Sequence, residues 1–121
     1  QDVFYAEIDW DLLLELNKNA KIRFAEIPKF PEVRRDLALL IDSETTFAEI
    51  EKIAIESERQ YLKKVNLFDV YEGKNIEAGK KSYAVSFTLS DPEKTLTDKV
   101  IDKIMQKLMK TYEGKLGATI R

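Results

Sequence analysis

The side chains available for chemistry in this chain are carboxylates, lysines and tyrosines, because it contains neither cysteine nor histidine. Without cysteine there is no disulfide, no thiolate nucleophile and no cysteine-based zinc site. Without histidine the usual general base and the commonest nitrogen ligand for metals are absent as well. Asp9, Asp11 and Glu15 stand at helical spacing and predict a solvated helix face rather than a metal site. The composition therefore disfavours an enzyme.

The most distinctive polar side chains lie in two alternating runs, Val65–Tyr71 and Ser82–Leu89, joined by a loop that contains Gly73 and Gly79. Such alternation bounded by glycine predicts two half-buried strands that pair as a hairpin. The face expected to enter the core carries Phe68, Val70, Tyr83, Val85, Phe87 and Leu89. The opposite face carries Asp69, Tyr71, Ser82, Ala84, Ser86 and Thr88. This second face is small and polar and holds an aromatic ring, so it is the candidate functional surface.

The length and charge of the chain limit what it can be. It has 121 residues, 35% of them charged, and a formal net charge of −2 at pH 7. This length accommodates one domain and a short extension. The net charge does not indicate a free-standing nucleic-acid binder, because such a protein would usually be basic. No run approaches the ~20 apolar residues of a membrane span and no signal-peptide pattern is present, so we expect an intracellular, soluble protein. Because a strand-like run begins directly after Asp2, we expect a piece of a longer chain.

The elements before the hairpin begin with a predicted strand at Val3–Ile8 and a short helix at Trp10–Leu16, which Asp9 can cap. This strand and helix could not bury both of their sides alone, so we interpret them as the remnant of a neighbouring domain. The polar segment Asn17–Phe30 ends in prolines and is expected to be a connector. A strand at Asp36–Ile41 follows it.

Two helices and a final strand complete the pattern. The residues Thr46–Glu49 have the composition of a capping box, which predicts a helix that ends near Glu58–Gln60. Thr97 is a natural N-cap for a second helix, and Gly114 is placed to end it. The segment Gly117–Arg121 is expected to be a last short strand.

The element order from Asp36 onward is β-α-β-β-α-β, which predicts an α+β, ferredoxin-like (RRM-like) fold. That fold is a four-stranded antiparallel sheet with two helices on one face, and right-handed crossovers place its first and third strands in the centre. The face without helices then displays Ala38, Asp69, Tyr71, Ser82, Ala84, Ser86, Thr119 and Arg121. RRM-type modules bind single-stranded RNA on this face, although a fold alone does not determine function.

Four segments carry a more specific signal: FPEVRRDLALLID, LFDVYEGKNIEAGKKSYAVSFTL, DPEKTLTD and the closing GATIR. In this order and at these spacings they closely resemble the C-terminal ferredoxin-fold anticodon-binding domain of phenylalanyl-tRNA synthetase β chains. The opening VFYAEIDWDLLLEL is similar to the end of the catalytic-like domain that precedes it there. The resemblance therefore implies two parts: residues 1–27, the tail of that domain and a linker, and residues 28–121, the anticodon-binding domain.

The resemblance implies that the open sheet face recognises the anticodon loop of tRNA-Phe. Carried over position by position, the RNA-binding residues are Ala38, Asp69, Tyr71, Ser82 and Arg121. Tyr71 would stack on a base, and Asp69 would accept from the N1–H and N2–H₂ edge of the guanine expected at the first anticodon position. Ser82 would donate or accept a hydrogen bond, and Ala38 would keep the sheet low beneath a flat base. Arg121 would stack on a base or bind phosphate.

The resemblance also implies a parent enzyme, a cytoplasmic phenylalanine–tRNA ligase that aminoacylates tRNA with phenylalanine and uses ATP and Mg²⁺. Its reaction would belong to the α chain, in a heterotetramer of two α and two β chains. This fragment would then be non-catalytic, with no cofactor of its own and no membrane partner.

Structural interpretations of the same residues stay open at this point. Tyr71 could cover an edge strand, and Asp69 could pair with a lysine across the hairpin. The Lys80–Lys81 pair could hold RNA backbone or form an ordinary solvated turn, and we expect Arg35–Asp36 to be a structural ion pair. The open face could instead belong to a ferredoxin-like protein-interaction or small-ligand regulatory module. A carboxylate-based enzyme lacks any convergent pair of side chains.

Overall fold

The structure of the chain is a computed structural model that describes residues 1–24 and 27–121. The helices of this part are α1 (Trp10–Asn17), α2 (Phe47–Ser57) and α3 (Asp98–Leu116). Its strands are β1 (Val33–Asp42), β2 (Leu62–Tyr71), β3 (Lys80–Leu89) and β4 (Thr119–Ile120). None of the helices in these described ranges is long and apolar enough to cross a membrane.

The strands form one antiparallel sheet in the order β2-β3-β1-β4. The first and third strands are therefore central and the other two lie at the edges, as right-handed crossovers require. Strand β1 pairs with β3 along its whole length, from Val33 opposite Leu89 to Asp42 opposite Lys80. The predicted ferredoxin-like arrangement is confirmed.

Helices α2 and α3 pack on one face of the sheet and form the core with it. Tyr112 of α3 is fully buried, with its ring centroid 6.3 Å from that of Phe87 on β3. Its hydroxyl donates to the carbonyl of Ile50 on α2 at 3.0 Å, and burial raises the pKa of this phenol. The predicted core residues Tyr83, Val85, Phe87 and Leu89 are all buried. Tyr112 thus ties both helices to the central strand.

The start of α2 and the end of α3 follow local side-chain and glycine signals, whereas Thr97, the predicted N-cap of α3, precedes the helix without a side-chain capping hydrogen bond. The capping box is confirmed, because the Glu49 carboxylate accepts from the Thr46 N–H at 2.8 Å and the Thr46 hydroxyl accepts from the Glu49 N–H at 3.4 Å. The bond from the Thr46 backbone lowers the pKa of Glu49. The predicted end of α3 at Gly114 is wrong: the helix runs on to Leu116, and Gly117 turns the chain with φ 59°. Only the second glycine adopts the left-handed conformation that glycine tolerates best.

The bounds of the strands differ from the alternation pattern. Strand β1 begins at Val33 and β2 at Leu62, each three residues before the predicted start, because both pair with β3 up to Leu89. Strand β4 comprises only Thr119–Ile120. Backbone pairing, rather than the alternation of side chains, decides where these ladders begin and end.

Residues 1–24 contain α1 and no strand. The helix is confirmed, and the Asp9 carboxylate accepts from the Leu12 N–H at 3.0 Å. The predicted strand Val3–Ile8 is wrong, because an isolated strand leaves its backbone groups without partners. Every side chain of residues 1–24 is exposed. The predicted connector Asn17–Phe30 includes residues 25 and 26, which lie outside the described residues.

Candidate nucleic-acid interface

One row of side chains crosses the whole sheet on the face opposite the helices. Asp69 on β2 is opposite Ala84 on β3, which is opposite Ala38 on β1. The backbone N–H of Arg121 donates to the carbonyl of Ala38 at 3.0 Å, which places Arg121 next in the row. At a strand spacing of about 4.8 Å, this row spans roughly 14 Å. It consists of a flat alanine floor with a carboxylate at one end and a guanidinium at the other.

A second row lies directly beside the first. Tyr71 is opposite Ser82, Ser82 is opposite Leu40, and Leu40 is opposite Thr119. Asp69, Tyr71 and Arg121 are exposed, whereas Ala38 and Ser82 are partly covered by their neighbours. The structure therefore brings all five predicted site residues into two adjacent rows of one face.

Asp69 has no cationic partner within 4.0 Å in the described part of the chain, so the pair with a lysine across the hairpin does not form. Its carboxylate can accept hydrogen bonds from a ligand at both oxygens. Residues 1–24 and 27–121 hold no group of three or more acidic side chains that could bind a metal ion.

The ring of Tyr71 lies against Gly73, just beyond the end of β2. A Cβ atom on Gly73 would collide with the Tyr71 hydroxyl and would lie 2.6 Å from its Cζ. The side chain of Tyr71 remains 45% exposed. Gly73 thus leaves the space in which the ring lies.

We expect Gly73→Ala to displace the Tyr71 ring while changing the free energy of unfolding little, because the colliding atoms are the far end of a flexible side chain. The aromatic proton shifts of Tyr71 should change, and urea unfolding should stay within ~0.5 kcal/mol of the unsubstituted chain.

The matched control is Gly114→Ala, since a Cβ there has no atom within 4 Å. Gly114 lies in the last turn of α3, so this change should stabilise the fold by at most about 0.5–1 kcal/mol, the helix-interior value, and should leave the Tyr71 resonances in place. Unmoved Tyr71 resonances in Gly73→Ala would contradict the contact.

Phe68 was expected in the core, and this prediction is wrong. The pairing of β2 with β3 shifts register between Leu67 and Asp69, so Phe68 is the extra residue of a bulge. Its side chain is 50% exposed, and the Arg34 guanidinium carbon lies 5.1 Å from the ring centroid. Val70 keeps the core-side register opposite Tyr83, but at the sheet edge it stays 46% exposed. The sequence did contain a signal for the bulge: Leu67 and Phe68 are adjacent apolar residues, and a strictly alternating strand would not have two in a row.

The expected ion pair between Arg35 and Asp36 is also wrong, because neighbouring residues of a strand point to opposite faces. Asp36 instead accepts from Arg34 Nε at 2.9 Å on the open face. Arg35 lies 3.6 Å from the Asp98 carboxylate, on the helix side of the sheet.

The two lysines that begin β3, Lys80 and Lys81, have intramolecular partners. The Lys81 side chain is buried, with Nζ 2.6 Å from the Ser43 carbonyl and 4.7 Å from the Tyr83 ring centroid. Lys80 pairs with Glu77 at 2.7 Å, and this hydrogen bond lowers the pKa of Glu77. Lys81 therefore has a structural role, because its ammonium group is held inside the protein. The side chain of Lys80 remains partly exposed.

Comparison with known proteins identifies a family and several relatives that match the residues of the whole sheet. The model of the ferredoxin-fold anticodon binding domain family matches residues 28–121. The chain is 60% identical over 120 residues to the phenylalanine–tRNA ligase beta subunit of Bacteroides fragilis, and 54% identical over 121 residues to that of Porphyromonas gingivalis. That of Clostridium acetobutylicum is 45% identical over 118 residues.

These matches cover 98–100% of this chain, which spans 15% of the length of each of these curated relatives. The predicted resemblance is confirmed both by these similarities and by the strand order of the sheet. The chain belongs to the family of ferredoxin-fold anticodon-binding domains.

Proposed function

We propose that this chain recognises the anticodon loop of tRNA-Phe through the open face of its sheet. The observation that carries the proposal is the row Asp69–Ala84–Ala38–Arg121, which lies on that face beside Tyr71 and Ser82. A flat floor between exposed polar ends suits an unstacked base, which single-strand-binding sheets hold by stacking and by hydrogen bonds to its edges.

Each residue has a distinct role in this proposal. Asp69 accepts from the N1–H and N2–H₂ edge of the first anticodon guanine, while Tyr71 stacks on a base. Ala38 provides the floor beneath the base. Ser82, next to Tyr71, hydrogen-bonds the base or its sugar. Arg121 binds phosphate or stacks, since its guanidinium is both cationic and planar.

We propose that the whole protein is a phenylalanine–tRNA ligase β chain. It would support the ATP-dependent, Mg²⁺-dependent aminoacylation of tRNA as part of a cytoplasmic heterotetramer with two α chains. The names of the relatives support this assignment. The ATP and Mg²⁺ sites would then lie outside this chain, which contributes recognition and no catalysis.

We propose that residues 1–27 are the tail of a preceding domain and a linker. The exposed apolar side chains of this segment support the proposal, because they would be covered by such a domain: Val3, Phe4, Tyr5, Ile8, Trp10, Leu12, Leu13, Leu14 and Leu16. Residues 28–121 would fold as the recognition domain.

The test is the affinity of the chain for an anticodon stem-loop of tRNA-Phe, measured by fluorescence anisotropy against salt concentration. Tyr71→Ala should weaken binding about 5- to 150-fold, as expected for the loss of ~1–3 kcal/mol of stacking. Arg121→Ala should weaken binding. It should also reduce the steepness of the plot of log binding constant against log salt concentration by about 0.7 for each phosphate contact that is lost.

Lys103→Gln on the outer face of α3 is the matched control for Arg121→Ala, since it removes one exposed charge far from the open face. It should leave the affinity unchanged within about 2-fold. Equal affinity for an unrelated anticodon loop would refute the proposed specificity. If Lys103→Gln weakened binding while Tyr71→Ala and Arg121→Ala did not, the open face would not be the binding surface.

A further inference from the structure

An aromatic ring that the core does not use lies beside Asp69 on the open face. The ring of Phe68 is half exposed, and the Arg34 guanidinium lies over it. Asp36 holds Arg34 through a hydrogen-bonded ion pair of 2.9 Å from Nε to the carboxylate. We call these three residues the Arg34–Phe68 cluster.

The cluster bridges three strands. Arg34 lies on β1 and Phe68 on β2, so their contact crosses the intervening strand β3. Ser86 of β3 lies on the same face between them, where it is buried and its hydroxyl donates to the Asn66 carbonyl at 3.4 Å. The cluster is therefore a raised platform on the open face, next to the low alanine floor.

The stability of the fold does not account for this arrangement. Ion pairs and cation–π contacts between exposed side chains contribute little to folding, and the bulge leaves a large apolar ring in contact with solvent. A ring and a planar guanidinium are, however, the two side-chain groups on which nucleic-acid bases stack. The guanidinium also carries the charge that complements a phosphodiester.

We propose that the Arg34–Phe68 cluster is a second stacking site, which holds the base of a nucleotide adjoining the one bound by Asp69 and Tyr71. This inference rests on the proposed function of the open face. Phe68 and Arg34 contact the base, and Asp36 is a positioning residue that keeps the guanidinium plane over the ring. The bulge places this site immediately before Asp69 on β2.

The experiment combines substitutions in the chain with removal of single bases from the tRNA-Phe anticodon stem-loop. Phe68→Leu removes the ring and should weaken binding about 10-fold, whereas Phe68→Tyr keeps it and should bind within about 2-fold of the unsubstituted chain. With a stem-loop that lacks the base at one of the two nucleotides adjoining the guanine, the effect of Phe68→Leu should fall below about 2-fold. The effect of Asp69→Asn should persist with that same stem-loop.

Asp36→Asn should weaken binding less than Phe68→Leu, and only for stem-loops that keep this base. Ile55→Ala is the control for the loss of an exposed apolar side chain, because Ile55 lies on α2 away from the open face, and it should leave binding unchanged.

Unchanged affinity in Phe68→Leu would overturn the inference, as would an equal loss on every stem-loop regardless of which base is missing. Either result could coexist with a normal effect of Asp69→Asn, in which case the proposed function would stand without the second site. Absence of binding by the unsubstituted chain would overturn both.

Discussion

Asp69→Asn should remove most of the preference of this chain for a guanine at the first anticodon position. The carboxylate presents two acceptor oxygens to the two donors of the guanine edge, whereas an amide replaces one acceptor with a donor. Hydrogen bonds to a charged group contribute about 1.5–3 kcal/mol, so discrimination should fall about 10- to 100-fold.

Inosine offers the sharpest comparison, because it differs from guanine only by the missing N2 amino group. The unsubstituted chain should bind the guanine loop more tightly than the inosine loop, and Asp69→Asn should bind both alike. Asp102→Asn, which removes the same charge from the exposed side of α3, should keep the preference. A preference that survives in Asp69→Asn would show that another group contacts the guanine edge.

Phe87→Ala should destabilise the fold by about 3–5 kcal/mol, the cost of deleting a fully buried aromatic ring. Phe87 has no exposed surface, lies on central strand β3 and packs against Tyr112. This loss is a large part of the ~5–15 kcal/mol that stabilises a typical domain. Urea unfolding followed by circular dichroism measures it.

Phe68→Ala is the matched control within the same hairpin, because it deletes the same ring from a half-exposed position. It should destabilise by about 1 kcal/mol, half of the transfer free energy of a fully buried side chain. A cost for Phe68→Ala equal to that for Phe87→Ala would contradict the bulge and the placement of Phe68 on the open face.

The strand order could be predicted from the sequence because the element order β-α-β-β-α-β and right-handed crossovers place the first and third strands in the centre. The two faces of the sheet could be predicted because most strands obey a strict period of two. Leu39, Ile41 and Val85 are buried as the alternation requires, and Ala38, Asp69 and Ser82 occupy the other face. When apolar and polar residues alternate along a whole strand, only one pairing register places the apolar face against the helices.

The position of Phe68 was predicted wrongly because the bulge in β2 shifts the alternation of inward and outward side chains by one residue. Val65 and Leu67 face the core before the bulge, and Val70 has the core-side register after it. Counting backward from Val70 by twos places Phe68 in the core, although one inserted residue reverses that assignment. The Arg34 contact was unpredictable for a further reason: it depends on side chains from strands that are distant in sequence.

The remaining differences also have local causes. Gly114 and Gly117 are equally good helix terminators by residue type, and only the backbone conformation distinguishes them. Val3–Ile8 has the composition of a strand but finds no partner strand among the described residues. Propensity alone cannot supply the pairing that a strand needs.

The most direct test of the central claim is to follow the alanine methyl groups of the chain by NMR during titration with the anticodon stem-loop of tRNA-Phe. Ala38 and Ala84 form the floor of the open face, whereas Ala48 lies exposed on α2 and serves as the internal control. The methyl resonances of Ala38 and Ala84 should shift on binding, while that of Ala48 stays in place. Binding that shifts Ala48 and leaves Ala38 and Ala84 unmoved would contradict recognition by the open face.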